Sequence, residues 1–153
     1  MKKLLALLIL AVFCLTLSAA YKPPRNWQVN IDAALAQARK EKKKVLVLFT
    51  GSDWCTWCKR LKKDVLDDKK FEKLAEKNFV LVYFDFPYRN KKISIDQRNL
   101  QQQWQEKLKV GGYPTTVILD GKGTVLTVIP GYLPLEKYLK AIMPPYKKLK
   151  MQK

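Results

Sequence analysis

Cys55 and Cys58, separated by Thr56 and Trp57, are the residues of this chain best suited to chemistry. Two thiols at C-x-x-C spacing can close a disulfide and open it again. They stand where an apolar strand pattern, Val45 to Phe49, gives way through Thr50-Gly51-Ser52-Asp53-Trp54 to a helical one. A helix N-terminus presents unpaired N–H groups and the positive end of a dipole, and both favour a thiolate over a thiol. Lys59, Arg60 and Lys62 follow closely and add positive charge. A purely structural bridge between Cys55 and Cys58 would close almost no loop and stabilise little. The pair therefore points to sulfur exchange.

Export strengthens that reading. Residues 1–20 have the pattern of a secretory leader: Lys2 and Lys3, an apolar run from Leu4 to Leu17, then Ser18-Ala19-Ala20, with cleavage expected after Ala20. The run is shorter than the roughly 20 residues of a spanning helix. Phe13 precedes Cys14, where a lipid-attachment site needs a small residue. Cleavage would remove Cys14 and leave Cys55 and Cys58 as the only thiols, an even number in an oxidising compartment. The chain has no histidine, which removes Cys–His and Ser–His catalysis. Two cysteines without histidine are too few ligands for a four-coordinate zinc site, so no metal and no cofactor is expected. Copper(I) held by the two thiolates stands as an alternative. The net charge is +17, and loss of Lys2 and Lys3 would leave +15. The basic residues are spread over many segments without a nucleic-acid motif. They predict a solvated surface able to steer acidic partners, with no nucleic-acid role.

The surrounding pattern is that of one domain, residues 30–146, with an extended lead-in at 21–29 and a basic tail at 147–153. Asn30 or Asp32 can cap a first helix running to about Lys42, with Ile31, Ala34, Leu35 and Ala38 on its apolar face. Strands are expected over Val45–Thr50, Phe79–Phe84, Thr115–Leu119 and Val125–Pro130. The last two join through Asp120-Gly121-Lys122-Gly123, a hairpin signal. The helix from Cys55 runs through Leu61, Val65 and Leu66, breaks near Asp67-Asp68, and resumes through Phe71, Leu74 and Ala75. After a polar loop from Pro87 to Lys92, Ile95, Leu100, Trp104 and Leu108 mark another amphipathic helix. Leu135, Tyr138, Leu139 and Ile142 mark the last, closed by Pro144-Pro145. The first two strands, joined by a helical crossover, should pair in parallel, and the closing hairpin is antiparallel. The fold class is α/β, a central mixed sheet with helices on both faces.

The strand–Trp54-Cys55-x-x-Cys58–helix unit resembles the thioredoxin superfamily. So does Gly111-Gly112-Tyr113-Pro114-Thr115, about sixty residues downstream and just before a strand. The resemblance implies a thioredoxin fold in which Cys55 is the exposed nucleophilic thiol and Cys58 the resolving one. Pro114 would be the cis-proline facing them, and the Tyr113 backbone would pair with an extended substrate segment. Trp54, Thr56 and Trp57 would complete the substrate-contacting rim. The chain departs from typical thioredoxin in having Thr56-Trp57 between the cysteines and a longer Pro87–Asp96 link. Phe49 stands where a buried acid is usual, so the base serving Cys58 is open between Asp53 and water. Taken with the leader and basic surface, these features are similar to secreted thioredoxin-like disulfide reductases of the DsbH type. That likeness implies periplasmic reduction of disulfides in exported proteins by a monomer, with electrons resupplied by a membrane donor such as a DsbD-like protein. Oxidase, isomerase and cytochrome-maturation roles, and a non-catalytic module, are the competing readings. A DsbA-type oxidase would carry an inserted helical domain, and no segment here is long enough for one.

Overall fold

The computed structural model describes residues 23–88 and 93–143. The expected leader with Cys14, part of the Pro87–Lys92 loop, Pro144-Pro145 and the basic tail lie outside the described residues.

Strand β2 (Lys44–Thr50) is the centre of a five-stranded sheet of order β1-β3-β2-β4-β5, with β1 (Trp27–Gln28), β3 (Phe79–Asp85), β4 (Thr115–Leu119) and β5 (Val125–Pro130). β1 and β2 run parallel to β3, whereas β4 is antiparallel to both β2 and β5. The strand period of two divides the apolar side chains between two cores. Val45, Val47, Phe49, Val80, Val82 and Phe84 face one way, beneath helices α1 (Ile31–Glu41) and α4 (Ile95–Lys107). Leu46, Leu48, Phe79, Leu81, Tyr83 and Ile118 face the other, beneath α2 (Thr56–Leu61), α3 (Lys69–Asn78) and α5 (Leu135–Ile142). Burial on both faces is why β2 and β3 read as continuous apolar runs.

Local signals set most boundaries. The Asn30 side chain caps α1 by accepting from Ala33 N, 3.0 Å. α2 continues into a π-helical turn, Lys62–Leu66, and Asp68 then caps α3 through Lys70 N at 2.7 Å. The hairpin turn is held by Asp120, whose Oδ1 accepts from Lys122 N and Thr124 N.

One expectation gains detail and one is corrected. Within the lead-in, Trp27 and Gln28 form the edge strand β1 against Leu81 and Val82. Trp27 is fixed there by rings from two other elements, Phe71 and Tyr83. On α4, Ile95 is 75% exposed, and the buried positions are Gln101 and Trp104. Ile95 is the first residue of the helix and its side chain is exposed, so periodicity alone misplaced it.

Candidate redox-active site

The site lies at the C-terminal ends of the parallel strands β2 and β3. Cys55 is the N-cap of α2 and its sulfur accepts from Cys58 N at 3.2 Å. The two cysteines are joined in a disulfide, with their Cα atoms 5.2 Å apart. In this oxidised state both are buried, Cys55 7% and Cys58 4% exposed, so the expected contrast between an exposed and a hidden sulfur is small. Gly51 N–H points to Cys58 Sγ at 3.5 Å, and the Gly51 carbonyl accepts from Cys55 N at 2.9 Å.

The Gly111–Thr115 loop faces the pair. Cys55 Sγ is 3.7 Å from the Tyr113 carbonyl oxygen, and the Tyr113–Pro114 peptide is cis. Gln105 organises this loop with both ends of its amide. Its Nε2 donates to Val110 O at 3.2 Å and its Oε1 accepts from the Tyr113 hydroxyl at 3.1 Å. Burial pushes the Tyr113 phenol above its ordinary pKa, so it remains a donor. The Pro114 carbonyl accepts from Gly131 N, which ties the loop to the end of β5.

Trp54, Thr56 and Trp57 are exposed around the disulfide, the two indoles about half so at 49% and 53%. Trp54 is nevertheless anchored: its Nε1 donates to Phe86 O at 2.8 Å, and its ring meets Tyr113 edge-on. Trp57 stacks on Tyr132, and the Arg60 guanidinium lies over both rings at 5.6 and 5.0 Å. Asp64 closes this cluster, accepting from Arg60 Nε and from the Tyr132 hydroxyl. Those two hydrogen bonds, Tyr132 first, hold the Asp64 carboxyl below its ordinary range. Arg60 is thereby committed to Asp64 and the rings, and Lys62 pairs with Asp67 at 2.7 Å. The N-terminus of α2, where Cys55 is the cap, supplies positive potential at the sulfurs.

Asp53 is exposed and its Oδ1 accepts from Tyr88 N at 2.9 Å. The buried acid next to the loop is Asp85, 2% exposed, and sequence reasoning missed it. Its only signal is a carboxylate closing the apolar run Phe79–Phe84. Asp85 binds Ser52 twice, from the backbone N at 2.9 Å and from the hydroxyl at 2.6 Å. Among the described residues no group of three or more Cys, Asp or Glu side chains is placed to hold a metal ion. No described helix is long and apolar enough to cross a membrane.

A family model for a thioredoxin-like domain matches residues 31–143. The chain belongs to the thioredoxin-like family. Its mixed sheet with helices on both faces is the thioredoxin fold. The disulfide bond reductase DsbH of Chlamydia pneumoniae is 33% identical over 101 residues, 66% of this chain and 60% of that protein. The thioredoxin-related protein DsbJ of the same organism is 31% identical over 122 residues, 77% of this chain and 34% of DsbJ. The matches thus span less than two thirds of either relative. The solved structure of a DsbH oxidoreductase superposes with a TM-score of 0.67 at 30% identity, covering 79% of this chain and 82% of that one.

Proposed function

We propose that this thioredoxin-like chain is an exported thiol–disulfide oxidoreductase that works mainly as a reductase of protein disulfides. The observation that carries the reading is the disulfide at the start of α2, set against the Tyr113–Pro114 loop and rimmed by exposed Trp54 and Trp57. Similarity to DsbH favours the reducing direction, and the leader-like residues 1–20 favour the periplasm.

In the cycle, the Cys55 thiolate attacks one sulfur of a substrate disulfide, forming a Cys55–substrate bond and releasing the other substrate sulfur as thiolate. Cys58, as thiolate, then attacks Cys55 Sγ. The Cys55–Cys58 bond forms, the substrate sulfur leaves with the electron pair, and each released thiolate takes a proton from solvent. The substrate disulfide is reduced by two electrons and the enzyme dithiol is oxidised. A membrane thiol donor of the DsbD type would return the pair to the dithiol. Trp54, Thr56, Trp57 and the Tyr113 backbone are the surface on which an extended substrate segment would lie, and Pro114 contributes no N–H to compete for the sulfur.

Reduced protein should accelerate precipitation of insulin by dithiothreitol, and Cys55→Ser should abolish the acceleration. Cys58→Ser should instead accumulate a mixed disulfide that can be isolated. Failure of the wild type to accelerate precipitation, with both thiols free, would remove the reductase reading. Equilibration with glutathione tests the direction: a potential near about −270 mV supports reduction, and one near about −120 mV makes the protein an oxidant.

A further inference from the structure

We propose that Asp85 is a positioning residue for the redox pair, setting the placement of Cys55 relative to Cys58 through the Gly51–Ser52 peptide, beside the Thr50–Gly51 peptide that Phe86 holds. The inference rests on the exchange cycle proposed above. Asp85 ends β3 opposite Thr50, the last residue of β2, and it is 2% exposed.

The β3 end grips the loop before Cys55 one peptide at a time. In the Thr50–Gly51 peptide, the carbonyl accepts from Phe86 N at 2.8 Å, and the N–H points at Cys58 Sγ at 3.5 Å. In the Gly51–Ser52 peptide, the N–H donates to Asp85 Oδ1 at 2.9 Å, and the carbonyl accepts from Cys55 N at 2.9 Å. Each peptide thus has one end on Asp85-Phe86 and the other on a cysteine. A peptide is planar, so fixing one end fixes the direction of the other. A charged acceptor on the N–H also polarises the carbonyl opposite. The second bond, from Ser52 Oγ to Asp85 Oδ2 at 2.6 Å, prevents the carboxylate from rotating away. Trp54 Nε1 to Phe86 O and Tyr88 N to Asp53 Oδ1 close the same two segments from the outer side.

The resolving step is intramolecular, and its rate depends on how well Cys58 is already aligned with Cys55. Attack of Cys55 on a small disulfide is bimolecular and depends far less on where Cys58 lies. Asp85 touches neither sulfur, so its loss should separate the two steps. A uniform loss of structure would slow both.

The test uses an aromatic disulfide that releases a coloured thiol, mixed with the reduced full chain in stopped flow. The first thiol reports attack by Cys55 and the second reports resolution by Cys58. Asp85→Asn should slow the second phase about tenfold, equivalent to about 1.4 kcal/mol, with the first phase within about threefold of wild type. Ser52→Ala should show the same split, and Ser52→Thr, which keeps the hydroxyl, should restore the second phase to within about twofold. Equal slowing of both phases, or a second phase within about twofold of wild type in Asp85→Asn, overturns the proposal. If Asp85→Asn does not fold, the Ser52→Ala and Ser52→Thr pair decides by the same criterion. A wild type that shows no second phase would refute the Cys55–Cys58 cycle itself, a result distinct from unsplit phases in the variants.

Discussion

Gly51 has three obligations at one residue: its N–H reaches Cys58, its carbonyl reaches Cys55, and its Cα lies under the Trp54 indole. A Cβ built there would lie 2.6 Å from Trp54 Nε1, inside van der Waals contact. Gly51→Ala should displace the indole and loosen its bond to Phe86. The expected cost is about 1–3 kcal/mol in denaturant unfolding, with insulin reduction falling in parallel. Unchanged stability would mean that the ring moves freely. The cysteines were legible because their spacing is local and their chemistry is written in their residue types. Asp85 was not, because its partner Ser52 is far away in sequence and meets it only through the register of β2 on β3. Gln105 was equally hidden, since nothing local marks a glutamine that joins Val110 to Tyr113.

At the scale of elements, the crossover from β2 to β3 has a designed break. α2 loosens into the π-helical turn at Lys62–Leu66, where Asp67 N reaches back to Lys62 O at 3.0 Å. Asp68 then restarts the helix by capping α3. This offset lets Leu61, Val65 and Phe71 all face the same core despite the bend. Asp68→Ala should cost about 1 kcal/mol of global stability, read by chemical denaturation, because α3 loses its cap. The sequence signalled this break through paired aspartates, and it signalled β4 and β5 through the Asp120-Gly121-Lys122-Gly123 turn between them. It did not signal β1, because two residues carry no periodicity. Trp27 forms a strand only since β3 offers an open edge and Phe71 and Tyr83 offer rings.

For the whole molecule, the two cores on opposite sheet faces make the strand ends a fixed platform for the site. Tyr83 links that platform to stability, since burial first, and the Asp85 charge next, push its phenol up to about 12. Burial likewise raises Tyr138, whose hydroxyl pairs with Thr116 Oγ1 at 2.8 Å. A raised folded pKa means that the unfolded chain loses its proton first as pH climbs above about 10. The stability tied to neutral Tyr83 is complete below that pH and is lost as pH rises toward about 12. Relative to Tyr83→Phe, the wild type should lose about 2 kcal/mol between pH 9 and pH 12 in denaturant unfolding. The difference matters because lysines titrate in the same window and change the self-repulsion of both proteins alike.

The amino-acid sequence by itself determined the chemical identity of the site and the order of the elements. Both rest on short-range patterns: the C-x-x-C spacing, the period of two in strands, and caps and turns within a few residues. Only the tertiary structure decided what supports the pair. The Asp85–Ser52 clamp, the Arg60–Trp57–Tyr132 stack and the edge strand β1 each join residues from separate elements. Their partners are chosen by strand register and by which face of the sheet a helix covers, properties that exist only once the chain has folded.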